Sequence, residues 1–134
     1  GSSVLGAVDL ETADIITDFV TGEDSVDLNA VAGAGSAANY AERSTIATEA
    51  ANFATALSEA QGVINGTVAY YFTTSAGSTF YGIDSAGGVL NGNVAGSIAD
   101  QGLLFYDADS NGTVDGVVHM VGVDLADFGM TDIV

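Results

Sequence analysis

The sequence predicts an α+β domain in which one amphipathic helix packs on a mostly antiparallel sheet. Three observations point that way. Apolar residues recur at three- and four-residue intervals over residues 40–61. Segments 67–73, 79–84, 102–106 and 116–123 are rich in aromatic and β-branched residues, and each is bounded by Gly, Asn, Asp or Ser. The last two of these flank an Asp-rich turn that would join them as a β-hairpin near the C-terminus. At 134 residues the chain is most simply one domain. It divides into short strands over 1–29, a connection and helix over 30–62, and the sheet over 63–134.

Taken in order, residues 14–28 read as two short strands around a Thr21-Gly22 turn, with Val26 and Leu28 alternating toward a core. Ala30 to Ala38 is nearly all alanine and glycine, which suggests a loose connection. The helix expected over 40–61 carries Ile46, Ala50, Phe53, Ala54 and Leu57 on one stripe. Asn39 with Glu42 supplies an N-cap pattern, and Gly62 is placed to end the helix. In the sheet segments, Tyr70, Phe72, Phe80, Phe105 and Tyr106 give the aromatic bulk that cross-strand pairs favour. Residues 85–100 read as a loop or short irregular strand, and Leu125 to Val134 as a brief helical turn followed by a short strand.

The turn between the last two sheet segments carries the chemistry. Residues 107–115 run Asp-Ala-Asp-Ser-Asn-Gly-Thr-Val-Asp, placing oxygen-bearing side chains at loop positions 1, 3, 5 and 9 around a central glycine. Calcium takes six to eight hard oxygen ligands at roughly 2.3–2.6 Å, and a chain can wrap so large a sphere only if a residue free to adopt positive φ sits mid-loop. Gly112 holds that position; Asp107, Asp109, Asn111 and Asp115 would give side-chain oxygens, and Thr113 a backbone carbonyl. An EF-hand needs a bidentate Glu at position 12, where this chain has Val118, and the flanks read as strands rather than helices. The expectation is therefore a calcium-loop β-hairpin. A plain Asn-Gly turn would explain the glycine but not four ligands at calcium spacing.

Composition narrows the partners. Eighteen acids against one base, Arg43, give a formal charge of −17. So negative a chain repels nucleic acid and anionic membrane and destabilises its own compact state unless cations screen it. Bound Ca²⁺ would relieve the repulsion and stabilise the folded form by mass action. The absence of cysteine excludes disulfides, thiolate nucleophiles and Cys-based zinc sites. No apolar run approaches the roughly twenty residues of a membrane helix, so no membrane insertion is expected.

Catalysis finds little support. His119 is the only histidine and alternates on a strand with Val117 and Val121, as a half-buried sheet residue would. Neither a Ser-His-Asp or Cys-His arrangement nor a two-histidine zincin helix suggests itself. Arg43 is expected on the helix surface beside an acid. The formal glycosylation acceptors Asn65-Gly66-Thr67 and Asn111-Gly112-Thr113 are explained more simply as Asn-Gly turns.

Two blocks resemble a known family. Ala13 through Leu28, with Asp14, Asp18, Asp24 and Asp27, resembles the segment that follows the calcium β-roll in RTX proteins, as in serralysin-type proteases and bacterial surface-layer and adhesin proteins. Leu104 through Val123, with Leu125 to Val134, resembles the end of those domains, where an Asp-rich hairpin precedes an uncleaved type I secretion signal. The two blocks cover about a third of the chain, and no Gly-Gly-x-Gly-x-Asp nonapeptide occurs in it. The resemblance implies capping strands over 1–29 and a second calcium site drawn from Asp14, Asp18, Asp24 and Asp27; solvated edge residues are the competing reading for these four. It also implies a non-enzymatic, secreted structural domain that folds on meeting extracellular calcium and associates with itself or with other surface subunits. Alternatives are a calcium-dependent carbohydrate-binding module using exposed tyrosines such as Tyr71 and Tyr81, and the accessory tail of a secreted RTX enzyme. The lack of tryptophan weighs against the sugar reading.

Overall fold

The computed structural model describes residues 14–16, 18–43, 53–76, 100–121, 123 and 125–134. Along the chain they form β1 (Asp14–Ile16), β2 (Tyr40–Glu42), α1 (Phe53–Val63), β3 (Tyr70–Ala76), β4 (Asp100–Tyr106), β5 (Gly116–Val121) and a 3-10 turn at Met130–Asp132. The five strands make one sheet in the order β1-β5-β4-β3-β2. A small α+β fold is thus what the sequence adopts. The strand at 79–84, the loop at 85–99 and the helical positions Ile46 and Ala50 lie outside the described residues.

The sheet is mixed, antiparallel along its long central strands but not purely so. Its centre is antiparallel, with Phe72 opposite Leu104 and Leu104 opposite Val118, but both edges pair in parallel, Asp14–Ile16 with Val118–Met120 and Tyr40–Glu42 with Tyr70–Phe72. Hairpin signals reveal only consecutive strands. A parallel edge joins segments that are distant in sequence, and no turn chemistry announces it.

Alternation along the central strands sends side chains to two cores. Tyr71, Leu103, Phe105 and Val117 face the helix side, where they pack with Ala56, Ala60, Ile64 and Val114. Tyr70, Phe72, Leu104, Val118 and Met120 face the other side, where loops supply Val26, Val123, Phe128 and Ile133. Burial on both faces explains why these strands read as nearly continuous apolar runs. Phe128 is the hub of the second core: its ring stacks on Phe72 with centroids 4.7 Å apart and tilts against Phe19 and Tyr40 at 5.4 and 6.3 Å.

The N-terminal part of the expected helix is a strand. Tyr40–Glu42 add to the edge of the sheet, and the Arg43 N–H donates to the Phe72 carbonyl at 3.0 Å. Asn39 therefore caps no helix; its side chain donates to the Ala32 and Ala34 carbonyls and accepts from the Ser36 N–H. Pairing with a buried strand outweighs a local capping pattern, because the cap contributes only about 1 kcal/mol. The helix ends at Val63, one residue beyond Gly62, and its buried seam is Ala56 and Ala60, continued by Ile64, with Leu57 half-buried beside it. Alanines spaced by four let α1 approach the sheet closely.

The Thr21-Gly22 turn is present, with the Glu23 and Asp24 N–H groups donating to the Val20 carbonyl at 3.1 and 2.8 Å and Gly22 at φ +82°. Beyond it, the second expected strand is reduced to a bridge between Val26 and Ile133. The small-residue stretch 30–38 is pinned rather than loose: Val31 N–H donates to the Ala108 carbonyl, and Gly35 N–H to the Ile133 carbonyl. Among the described residues, no helix is long and apolar enough to cross a membrane.

Candidate metal centre

The loop 107–115 joins β4 to β5 and closes at the Tyr106–Gly116 pair. Its ends are clamped by the sheet, since the Asp107 N–H donates to the Ala69 carbonyl and the Asp115 N–H to the Tyr106 carbonyl, each at 2.8 Å. Two positive φ values bend it, +58° at Ser110 and +89° at Gly112. At Gly112 a side chain would be strained by that backbone and would also meet the Asn65 carbonyl carbon at 3.3 Å. The Asn65-Gly66 turn thus forms the wall behind the loop.

Asp107, Asp109 and Asp115 converge: an oxygen from each lies within 4.8 Å of the others. Two ligands on opposite sides of an ion at 2.3–2.6 Å are at most about 5 Å apart, so the spacing fits one calcium coordination sphere. The three carboxylates differ in role. Asp107 is fully buried, and its two oxygens accept the Asn111 and Gly112 N–H groups at 3.2 and 2.7 Å, which folds the loop around it. Asp115, half-buried, accepts the Ala108 N–H at 2.8 Å. Asp109 is exposed and accepts from the Asn111 backbone and side-chain amide at 3.2 and 3.1 Å. Every one of these oxygens accepts through one lone pair and keeps another for a cation. Asn111 and Thr113 are exposed; the Asn111 side-chain oxygen accepts the Thr113 N–H at 2.8 Å.

The first block behaves differently. Asp14 pairs with Val118 on the sheet edge, and Asp18 is exposed. Asp24 accepts the Val20 N–H at 2.8 Å, and Asp27 accepts the Asn29 N–H at 2.9 Å, next to Asn29 at φ +49°. Asp24 and Asp27 thus shape their own turns. Among the described residues, the three-acid group is Asp107, Asp109 and Asp115, and the structure does not bring Asp14, Asp18, Asp24 and Asp27 into another. Asp14 does reach the C-terminal hairpin electrostatically: burial first, then the carboxylates of Asp14 and Asp115, raises the pKa of the Tyr106 phenol.

Two basic residues sit deeper than their sequence context suggested. Arg43 is buried at the end of β2, not on a helix surface, and donates to the Thr74 hydroxyl at 2.7 Å. His119 is fully rather than half buried, and desolvation pushes its pKa down to about 4. It is therefore neutral at pH 7. Tyr71, a candidate sugar platform, is interior; it donates to a Glu59 carboxylate oxygen at 3.0 Å, and burial with that acid pushes its phenol up to about 12. Tyr81 lies outside the described residues.

Sequence reasoning missed Asp132 as an anchor. It is buried, with one carboxylate oxygen accepting the Thr21 hydroxyl at 2.8 Å and the Gly129 N–H at 2.9 Å, and the other accepting the Gly22 N–H at 3.3 Å. The only local signal was an acid three residues after a glycine at the start of a short helical turn. No family model, curated protein or solved structure matches the chain.

Proposed function

We propose that this chain is a calcium-stabilised structural domain, without catalytic activity, of a secreted bacterial surface protein such as a surface layer, fibre or adhesin. The observation that carries the reading is the convergence of Asp107, Asp109 and Asp115 within 4.8 Å in a single clamped loop. Asp107 and Asp115 would form the buried floor of the site, Asp109 and Asn111 the outer rim, with the Thr113 carbonyl completing the set. A bound cation would offset the mutual repulsion of three clustered carboxylates on a chain of net charge −17.

The mechanism is conditional folding. At sub-micromolar intracellular calcium the loop stays empty and the hairpin strained by its own charge; at millimolar extracellular calcium the ion fills the loop and locks β4 to β5. Export by a type I machinery reading Leu125–Val134, and assembly with like or other surface subunits, belong to the same proposal and rest on the resemblance of the two sequence blocks to RTX termini. With Tyr71 engaged in the interior, no observation favours sugar binding over this reading. Calorimetric titration with CaCl₂ tests it: saturable heat with a defined stoichiometry and a chelator-reversible rise in melting temperature are expected. Absence of both in millimolar calcium defeats the reading.

A further inference from the structure

Among the described residues the sheet ends on one side at β2, and beside it opens a cleft of about 450 Å³. One wall is Tyr40, Ala41 and Glu42; the other is the stretch 128–131. We propose that this cleft and the edge of β2 form a docking slot for an extended, basic peptide segment of another protein, which pairs its backbone with Glu42 and places a lysine or arginine on the Glu42 carboxylate. The proposal does not depend on calcium.

Backbone direction supplies the first argument. The Asn39 carbonyl accepts from the Ala69 and Tyr70 N–H groups, and the Arg43 N–H donates to the Phe72 carbonyl, so odd-numbered residues of this segment turn their peptide groups toward β3. By the alternation of a parallel ladder, Tyr40 and Glu42 turn theirs the other way. The Tyr40 N–H is taken by the Ser36 carbonyl at 3.0 Å, which leaves the Tyr40 carbonyl and the Glu42 peptide groups on the side away from β3. An open edge of this kind is a template for an added strand. On the far wall Gly129 is extended, at φ −156° and ψ 176°, and leads into the 3-10 turn at Met130–Asp132.

Charge and surface chemistry select the occupant. One Glu42 oxygen accepts the Tyr40 hydroxyl at 3.0 Å, and the other is left for a cation. Glu42 is the acid that lines the cleft, so the lining carries a negative charge at the edge of β2. A second copy of this chain would bring a charge of −17 and a lone base, Arg43, that is buried. Self-pairing here is therefore repelled, whereas a basic strand is attracted. Met130, 38 % exposed, and the half-buried Tyr40 offer apolar contact to residues flanking the incoming base.

The test follows backbone amide shifts of ¹⁵N-labelled protein, at about 150 mM salt to suppress diffuse attraction. The probes are a hexapeptide of alternating lysine and valine, its fully N-methylated counterpart, and the hexapeptide of alternating glutamate and valine. Expected are shifts confined to residues 40–42 and 128–131 for the lysine peptide alone, and binding weakened at least tenfold by Glu42→Lys. If Glu42→Lys does not fold, Glu42→Gln removes the same charge and should weaken binding severalfold. The proposal is overturned by equal binding of the N-methylated peptide, by shifts spread over the acidic surface, or by no binding. It is equally overturned if the protein alone shows concentration-dependent shifts at these amides, which would identify a second copy as the occupant.

Discussion

The Asp132 carboxylate accepts the Thr21 hydroxyl at 2.8 Å across 111 residues of chain. With the Gly22 and Gly129 N–H groups on the same carboxylate, and the Val26 and Val134 N–H groups donating to the Asp132 and Val26 carbonyls at 2.7 and 3.0 Å, it fastens the first turn of the described chain to its last residues. The Thr21–Val26 segment and the last residues thus form one layer over the face of the sheet that carries Phe72 and Phe128. Asp132→Ala removes three hydrogen bonds to a buried carboxylate and should cost about 1–3 kcal/mol in chemical denaturation. Thr131→Ala, at an exposed neighbour, serves as the control and should change stability by less than about 0.5 kcal/mol. Equal effects would show that the clasp contributes nothing.

Within the loop, the structure separates a residue that shapes the site from one that only lines it. Asp107→Ala removes two backbone hydrogen bonds to a buried carboxylate and should destabilise the calcium-free protein by about 2 kcal/mol. Asp109→Ala, at the exposed rim, should leave the calcium-free melting temperature nearly unchanged yet abolish most of its rise in millimolar CaCl₂. Melting curves with and without chelator distinguish the two. A full calcium response in Asp109→Ala contradicts the ligand assignment.

Gly112 tests the loop backbone directly. At φ +89° an alanine costs about 1–2 kcal/mol, and its β-carbon would press on the Asn65 carbonyl carbon. Gly112→Ala should therefore lower both stability and calcium affinity. Gly62→Ala, in α1 with open space around it, should hold or raise stability by up to about 1 kcal/mol. An unchanged titration isotherm for Gly112→Ala would contradict the role given to the turn.

His119 predicts a pH dependence whose sign is fixed by its burial. Its folded pKa of about 4 lies below the ordinary 6.5, so between those values the unfolded chain binds the extra proton and stability rises with pH. The contribution is complete above about pH 6.5 and lost as pH falls toward 4, on the order of 3 kcal/mol across the window. Urea denaturation of wild type and His119→Leu from pH 4 to 7 isolates it, because the carboxylates titrate in both. Parallel curves would mean that the imidazole is not held neutral by the core.

Much of this fold was legible in the chain because its information is local. Aromatic and β-branched runs bounded by turn residues located the three central strands to within three residues at each end, Asn-Gly and Asp-rich punctuation located their hairpin, and calcium spacing singled out Asp107, Asp109 and Asp115, which the fold does bring together. Arg43 was misread and Asp132 overlooked because long-range partners, Thr74 and Thr21, set their environments.

By itself the sequence determined what depends on neighbours a few residues apart: the α+β class, the hairpin, the glycine-bent acidic loop and the excess of negative charge. Tertiary structure alone decided the parallel edges, the conversion of Tyr40–Glu42 from helix to strand, the burial of His119 and the clasp between the Thr21-Gly22 turn and the last residues through Asp132. The division has a physical cause. Local propensities differ by about 1 kcal/mol or less per residue, whereas burying a strand or a charge against distant chain involves several, so distant contacts prevail wherever the two disagree.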